Sequence, residues 1–273
     1  FEILSPSAGD LLMVGPHQNI TWKTTGRVQK VWLEFMTDGK KWQALAGPMP
    51  DQGSFGWTVP DQISSEVKFR IFDGNNAVAQ AVSSSFQIKG ALNLTSPQGA
   101  EVWETGSRHT IHWQTTGSIP QLKIEAVEDV LNEGAPEKRF VIADNLANKN
   151  SFEWTVPDQI SDHLRVRVSD LRDSSVSARS ANPFSIIAHF DVKSPKSDDI
   201  WIVGSSHEIV WSTSGTVPEV ALEFSRDDFY RDINLIANHV PNTGAAMWTV
   251  SDAISPSVKI RVSDMRDSRA AAV

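Results

Sequence analysis

The 273-residue chain has no cysteine, which excludes disulfides, thiol catalysis and cysteine-based zinc sites. It also lacks any run of about 18 uncharged apolar residues, so no helical membrane span is encoded. Positive charge is in deficit: 25 Lys and Arg stand against 33 Asp and Glu, a net charge of -8. A nucleic-acid partner is therefore not expected, because binding a phosphate backbone needs basic patches. Catalytic signatures are missing too. There is no Gly-x-Ser-x-Gly elbow, no His-Glu-x-x-His and no phosphate-cradling glycine loop, and His207-Glu208 has no second histidine. The sequence predicts no enzyme. It starts at Phe1 without a Met or a signal-like segment, and reads as a piece of something longer.

What is present is repetition. Ser5-Pro6 recurs at Ser96-Pro97 and Ser194-Pro195, and Gly15 at Gly106 and Gly204. Trp22, Trp113 and Trp211 follow, then Gly26, Gly117 and Gly215. A second tryptophan opens Trp-Thr-Val at Trp57, Trp154 and Trp248. Arg70, Arg167 and Arg261 each precede an aspartate, Asp73, Asp170 or Asp264, by three residues. The spacing exceeds that of solenoid repeats, which run about 20–50 residues, and suits a whole small domain. The predicted domains are 1–90, 91–188 and 189–273.

Each copy alternates apolar and polar residues with period two, the mark of half-buried strands. Val31, Leu33 and Phe35 match Leu122, Ile124, Ala126 and Val220, Leu222, Phe224. Phe55, Trp57 and Val59 match Phe152, Trp154, Val156 and Ala246, Trp248, Val250. Val67, Phe69 and Ile71 match Leu164, Val166, Val168 and Val258, Ile260, Val262. Short strands at this spacing predict an all-β chain of three tandem immunoglobulin-like or fibronectin type III-like β-sandwiches. The tryptophans Trp22, Trp57, Trp113, Trp154, Trp211 and Trp248 are the predicted core plugs, each able to bury about 150–250 Å². Joints of only a few residues, without a Gly/Ser or Pro-rich spacer, predict a semi-rigid extended rod roughly 100 Å long at ~3.3 Å per strand residue.

The polar positions carry further expectations. Glu34, Glu125 and Glu223 fall on the outward face of one strand, and Arg70, Arg167 and Arg261 on that of its expected neighbour. This predicts a cross-strand Glu–Arg pair in every copy, worth ~0–1 kcal/mol where exposed. The third copy stops before the Phe-x-Ile strand that ends the other two, so it lacks its last strand. We expect the polypeptide to continue; the alternative is a strand supplied by another molecule.

The order Ser5-Pro6, Gly15, Ile20-Thr21-Trp22, Trp57-Thr58-Val59-Pro60, repeated with Ile111-His112-Trp113 and Trp154-Thr155-Val156-Pro157, resembles a known surface module. It is similar to the domain named after fungal cell-wall synthesis proteins of the Knh type, also described as the Ser/Thr-rich GPI-anchored family. Ser251 stands where the third copy would have its proline. The resemblance spans nearly the whole chain. It implies an extracellular sandwich used in wall or surface architecture, and carries over no catalytic residue.

Trp32 lies between inward-pointing Val31 and Leu33, so it should point outward; Trp42 has no counterpart in the other copies. For Trp32 the alternatives are cover by a loop of its own domain, contact with another protein, or stacking on a sugar. Asn19-Ile-Thr21 and Asn93-Leu-Thr95 fit glycosylation sequons. Acidic groups at Asp198-Asp199, Asp227-Asp228 with Asp232, Asp170 with Asp173, and Asp264 with Asp267 offer oxygens to calcium. None matches a calcium loop, and the interleaved Arg172 and Arg266 favour local ion pairs. No cofactor is predicted. The leading expectation is a structural cell-surface segment, of a surface layer, cell envelope or stalk, whose partners are further copies of itself or other domains of a longer parent. A carbohydrate-binding or adhesion module contacting cell-surface glycans is the alternative.

Overall fold

A computed structural model of the chain describes residues 1–129 and 138–273. Among them there is no helix, and the strands form three successive two-sheet units. The first contains β1 (Glu2–Ser5), β2 (Leu11–Met13), β3 (His17–Lys23), β4 (Lys30–Thr37), β5 (Gln43–Pro50), β6 (Ser54–Thr58), β7 (Ser64–Asp73), β8 (Gln80–Val82) and β9 (Phe86–Lys89). Its smaller sheet has the order β1-β3-β6. Its larger sheet runs β2-β9-β7-β4-β5, with β8 also on β7.

The second unit repeats this plan with β10 (Ala91–Ser96), β11 (Val102–Glu104), β12 (Arg108–Thr116), β13 (Gln121–Glu128), β14 (Arg139–Ala147), β15 (Ser151–Thr155), β16 (Ser161–Asp170), β17 (Ser177–Arg179) and β18 (Phe184–Ile187). The third holds β19 (His189–Ser194), β20 (Ser206–Ser214), β21 (Glu219–Ser225), β22 (Asn234–Pro241), β23 (Ala245–Thr249), β24 (Lys259–Asp264) and β25 (Ala271–Ala272). Its larger sheet has four strands, β22-β21-β24-β25.

The alternating residues build the cores. Val31, Leu33, Val67, Phe69 and Ile71 are fully buried in the first, as are Leu122, Ile124, Ala126, Val166 and Val168 in the second. Val220, Leu222 and Val262 are buried in the third. Three first tryptophans sit at equivalent buried sites, and each indole N–H has a side-chain acceptor from the turn before the next strand. Trp22 Nε1 donates to Asp51 at 2.8 Å, Trp113 Nε1 to Asn148 at 2.9 Å and Trp211 Nε1 to Asn242 at 2.7 Å. A buried indole needs such a partner, so these turns are tied to the cores. Trp57 and Trp154 are buried, while Trp248 is only half-buried.

Val250 is likewise half-buried where Val59 and Val156 are buried, and Val258 departs further from its set. Val258 is 37% exposed, whereas its counterparts Val67 and Leu164 are at 0% and 4%. The reason is local: in the first two units the last strand, β9 or β18, pairs at this position, with Val67 opposite Phe86 and Leu164 opposite Phe184. The third unit has no equivalent strand among the described residues.

Candidate functional site: module joints and outer sheet faces

The joints use one arrangement twice. Each Trp-Thr-Val strand leads into a turn carrying an aspartate and, two residues on, an isoleucine: Asp61 and Ile63, then Asp158 and Ile160. Asp61 accepts from the Ser118 backbone N–H at 2.8 Å and from the Ser118 hydroxyl in the next sandwich. Asp158 likewise accepts from the Thr216 N–H at 2.9 Å and the Thr216 hydroxyl. Each acceptor turn is opened by a glycine with positive φ, Gly117 at 82° and Gly215 at 107°. A Cβ on Gly117 would lie 3.3 Å from Ile63 Cδ1, and one on Gly215 3.3 Å from Ile160 Cδ1, so the backbone conformation and the close approach both favour glycine.

An arginine of the following sandwich braces each acceptor turn. Arg172 donates to the Ser118 carbonyl at 2.8 Å while pairing with buried Asp170 at 2.9 Å. Arg266 donates to the Thr216 carbonyl at 2.9 Å and pairs with buried Asp264 at 3.0 Å. Of the carboxylates that offered calcium ligands, Asp170, Asp232, Asp264 and Asp267 are thus paired with guanidinium groups. Asp227 accepts from the backbone N–H groups of Tyr230, Arg231 and Asp232. No group of three or more metal-ligating side chains converges among the described residues.

Further ion pairs cross each joint with opposite polarity. At the first, Lys89 of the leading sandwich reaches Asp173 at 2.8 Å and Ser175 Oγ at 2.6 Å. The Lys89 hydrogen bond, followed by that from Ser175, lowers the Asp173 carboxyl to about 2. At the second, the cation belongs to the following sandwich: Arg269 pairs across the joint with Asp162 and within its own sandwich with Asp267. These carboxylates hold Arg269 above its ordinary range, Asp267 most strongly. A groove of about 270 Å³ beside the first joint is lined by Asp38, Ser64, Lys89, Asp170, Arg172 and Asp173, among others.

On the outer faces, Glu34, Glu125 and Glu223 stand opposite Arg70, Arg167 and Arg261 in register. The carboxylate and guanidinium meet in the first and third sandwiches. The second needs a correction. Arg167 turns to the Ser174 carbonyl at 2.9 Å, and Glu125 pairs with Lys123 at 2.8 Å and is buried, not solvent-facing. Lys123 projects from the same face two residues from Glu125, where Trp32 and Ala221 stand in the other copies, so only here does a nearer cation compete.

Trp32 is half-buried by its own sandwich. It stacks on Phe72 at 6.4 Å with planes 4° apart, and its indole lies where a Cβ on Gly74 would approach to 3.0 Å. Trp42 is half-buried beneath Arg70, whose guanidinium lies 4.7 Å from the ring centroid and 5.4 Å from that of Phe72. The result is an aromatic–arginine strip on one sheet. Sequence alternation places Trp32 and Arg70 outward. It does not reveal the Phe72 stack, nor the joint roles of Asp61, Asp158, Ser118 and Thr216. The recurrence of Val-Pro-Asp-x-Ile was the available signal for the joints.

No family model matches the chain, and no curated protein matches it. Solved structures with similarity include fibronectin(III)-like modules of Clostridium thermocellum CbhA, at 15% identity and a TM-score of 0.24, covering 68% of this chain and 92% of that one. A tetra-tandem repeat from the extending region of a large adhesion protein has 10% identity and a TM-score of 0.29, covering 93% and 70%. The ICAM-5 D1–D4 ectodomain fragment has 11% identity and a TM-score of 0.30, covering 96% and 73%. At these values the likeness assigns neither partner nor activity to this chain.

Proposed function

We propose that the chain is a scaffold or spacing segment of a cell-surface protein, in an envelope layer or stalk, acting through protein–protein contacts. The observation that carries this reading is the duplicated joint. An aspartate clamp on a Gly-Ser or Gly-Thr turn, with an isoleucine packed beside it, recurs where the second and third sandwiches meet their predecessors. A flexible string of binding modules has no need of such repetition, whereas a spacer does. The extracellular setting rests on the resemblance to wall-associated modules, and the acidic surface is compatible with it. The chain is not an enzyme on this reading. The test is fractionation of the source cells with an antibody to this segment, with electron microscopy of the purified parent. Envelope association and regular assemblies are expected; a soluble, monomeric, intracellular parent would overturn the proposal.

The aromatic–arginine strip supports glycan adhesion as the second reading. Trp32 and Trp42 are the contact residues it names, although Trp32 stacks on Phe72 and Trp42 lies beneath Arg70. A glycan array on which Trp42→Ala erases binding would establish it, and an array without hits would dismiss it.

A further inference from the structure

The loop between β21 and β22 holds a backbone shape that its own residues disfavour. Asp228 and Phe229 both have a φ of 62°, the left-handed region that a bulky side chain seldom enters. Two side chains impose it. Buried Ser225 Oγ accepts from the Phe229 N–H at 2.7 Å and from the Asp227 N–H at 3.1 Å. The Asp227 carboxylate accepts from the Tyr230 N–H at 3.1 Å and the Arg231 N–H at 2.9 Å. Arg226 then clasps Asp232 through two hydrogen bonds of 2.8 Å, and Asn234 Nδ2 donates to the same carboxylate at 2.8 Å. Strain kept in place by so many bonds points to a use for the side chains it aims.

Those side chains are aromatic. Phe229 lies against Arg261, whose guanidinium is 4.3 Å from the ring centroid and pairs with Glu223. Its neighbour Tyr230 is 77% exposed, with the Arg231 guanidinium 5.1 Å from its centroid. Ile233 and Leu235 are exposed as well, and Leu235 stands opposite Glu223. The first sandwich uses the same device: the loop between β4 and β5 brings Trp42 to Arg70, which pairs with Glu34. The two loops differ in sequence, yet each delivers a ring to the equivalent guanidinium.

We propose that this corner of the third sandwich is a second glycan-binding platform, one that takes an uncharged sugar chain. A pyranose presents a face of C–H bonds and a rim of hydroxyls. The face suits the exposed Tyr230 ring. The rim suits groups that both donate and accept, which the Arg226–Asp232 pair and Asn234 supply. Charge selects a neutral ligand, because Arg226, Arg231, Lys259 and Arg261 are balanced by Glu223, Asp227, Asp228 and Asp232. A protein partner fits less well. A stable interface buries roughly 800 Å² per partner around a core depleted in charge, whereas here charged residues stand between the exposed apolar ones. The contact is one ring face on an open surface, so the site binds weakly. The inference rests on the glycan reading of the Trp42 strip and adds a site which that reading does not contain.

The test passes the full chain over immobilised glucan, mannan, xylan and galactan. Amide chemical shifts are then followed as a soluble oligosaccharide of the retained polymer is added. The amides of 226–235 should move. Tyr230→Ala should weaken binding at this site about tenfold, the worth of one ring contact. Tyr230→Phe, which keeps the ring, should bind as the parent does. Tyr230 is exposed, so neither substitution opens a core. Trp42→Ala should leave the shifts of 226–235 in place. If the sugar moves only amides around Trp42, the glycan reading stands and this proposal falls. Retention on none of the four polymers would remove both. Equal affinity of Tyr230→Ala and the parent at 226–235 would also overturn the platform.

Discussion

A buried indole N–H without an acceptor costs more than its hydrogen bond contributes, and this chain answers that demand three times from the same turn. Asn148 accepts from Trp113 and donates to Thr115 Oγ1 and the Ile119 carbonyl. Asn148→Leu should destabilise the second sandwich by about 1–3 kcal/mol, because it strands the indole donor and two acceptors at once. Denaturant melts read by tryptophan fluorescence check this, and a loss below measurement error would show that the tie is dispensable. His109 makes a pH-dependent contribution of its own. It stacks on Trp103 at 4.3 Å, and burial lowers its pKa. A histidine lowered in the folded state favours folding while neutral, so its contribution is full above about pH 6.5 and is lost as pH falls through that region. His109→Gln, the residue type the first sandwich carries at Gln18, should flatten the pH dependence of the second sandwich's melting between pH 7 and 5. An unchanged profile would assign the dependence elsewhere.

At the scale of elements, the strands most legible in the sequence are those with one buried face. Val31-Trp32-Leu33 and Val67-Lys68-Phe69 declare β4 and β7 because every second side chain enters the core. β8 was not legible: Gln80–Val82 is short and peripheral, and only half-buried Ala81 packs on the core. The Glu–Arg register was legible because side chains opposite one another on a sheet share a face. The pairing was not, because a nearby Lys123 redirects Glu125 in the second sandwich. The joints were invisible to periodicity, since Asp61 and Ser118 lie in turns and meet only through the docking of two units. One consequence concerns acid. The Asp173 carboxyl, held at about 2 by Lys89, is depressed relative to the unfolded chain, so its contribution is complete above about pH 4 and disappears as pH falls towards 2. The first joint should hold its geometry at pH 4 and loosen as pH falls towards 2, whereas Lys89→Met, which removes the pair, should leave the joint looser already at neutral pH and without that acid step. Distances between labels across the joint as pH is lowered report this directly, and the same acid step in both proteins would contradict it.

For the molecule as a whole, three cores are built from the same plan and are connected without spacer: β9 and β10 are separated by Gly90 alone, and β18 and β19 by Ala188 alone. Stability resides within each sandwich, while geometry resides between them. Asp61→Ala and Asp158→Ala should therefore leave the melting of the sandwiches within about 1 kcal/mol of the parent, since the clamps are exposed, yet free the units to move. The central claim, that clamped joints fix the succession of sandwiches, is tested most directly by pulsed electron–electron distances between a spin label on the first sandwich and one on the third. We predict a single narrow distribution for the parent chain and a broad one for the Asp61→Ala, Asp158→Ala double variant. A parent distribution as broad as that of the double variant would contradict it.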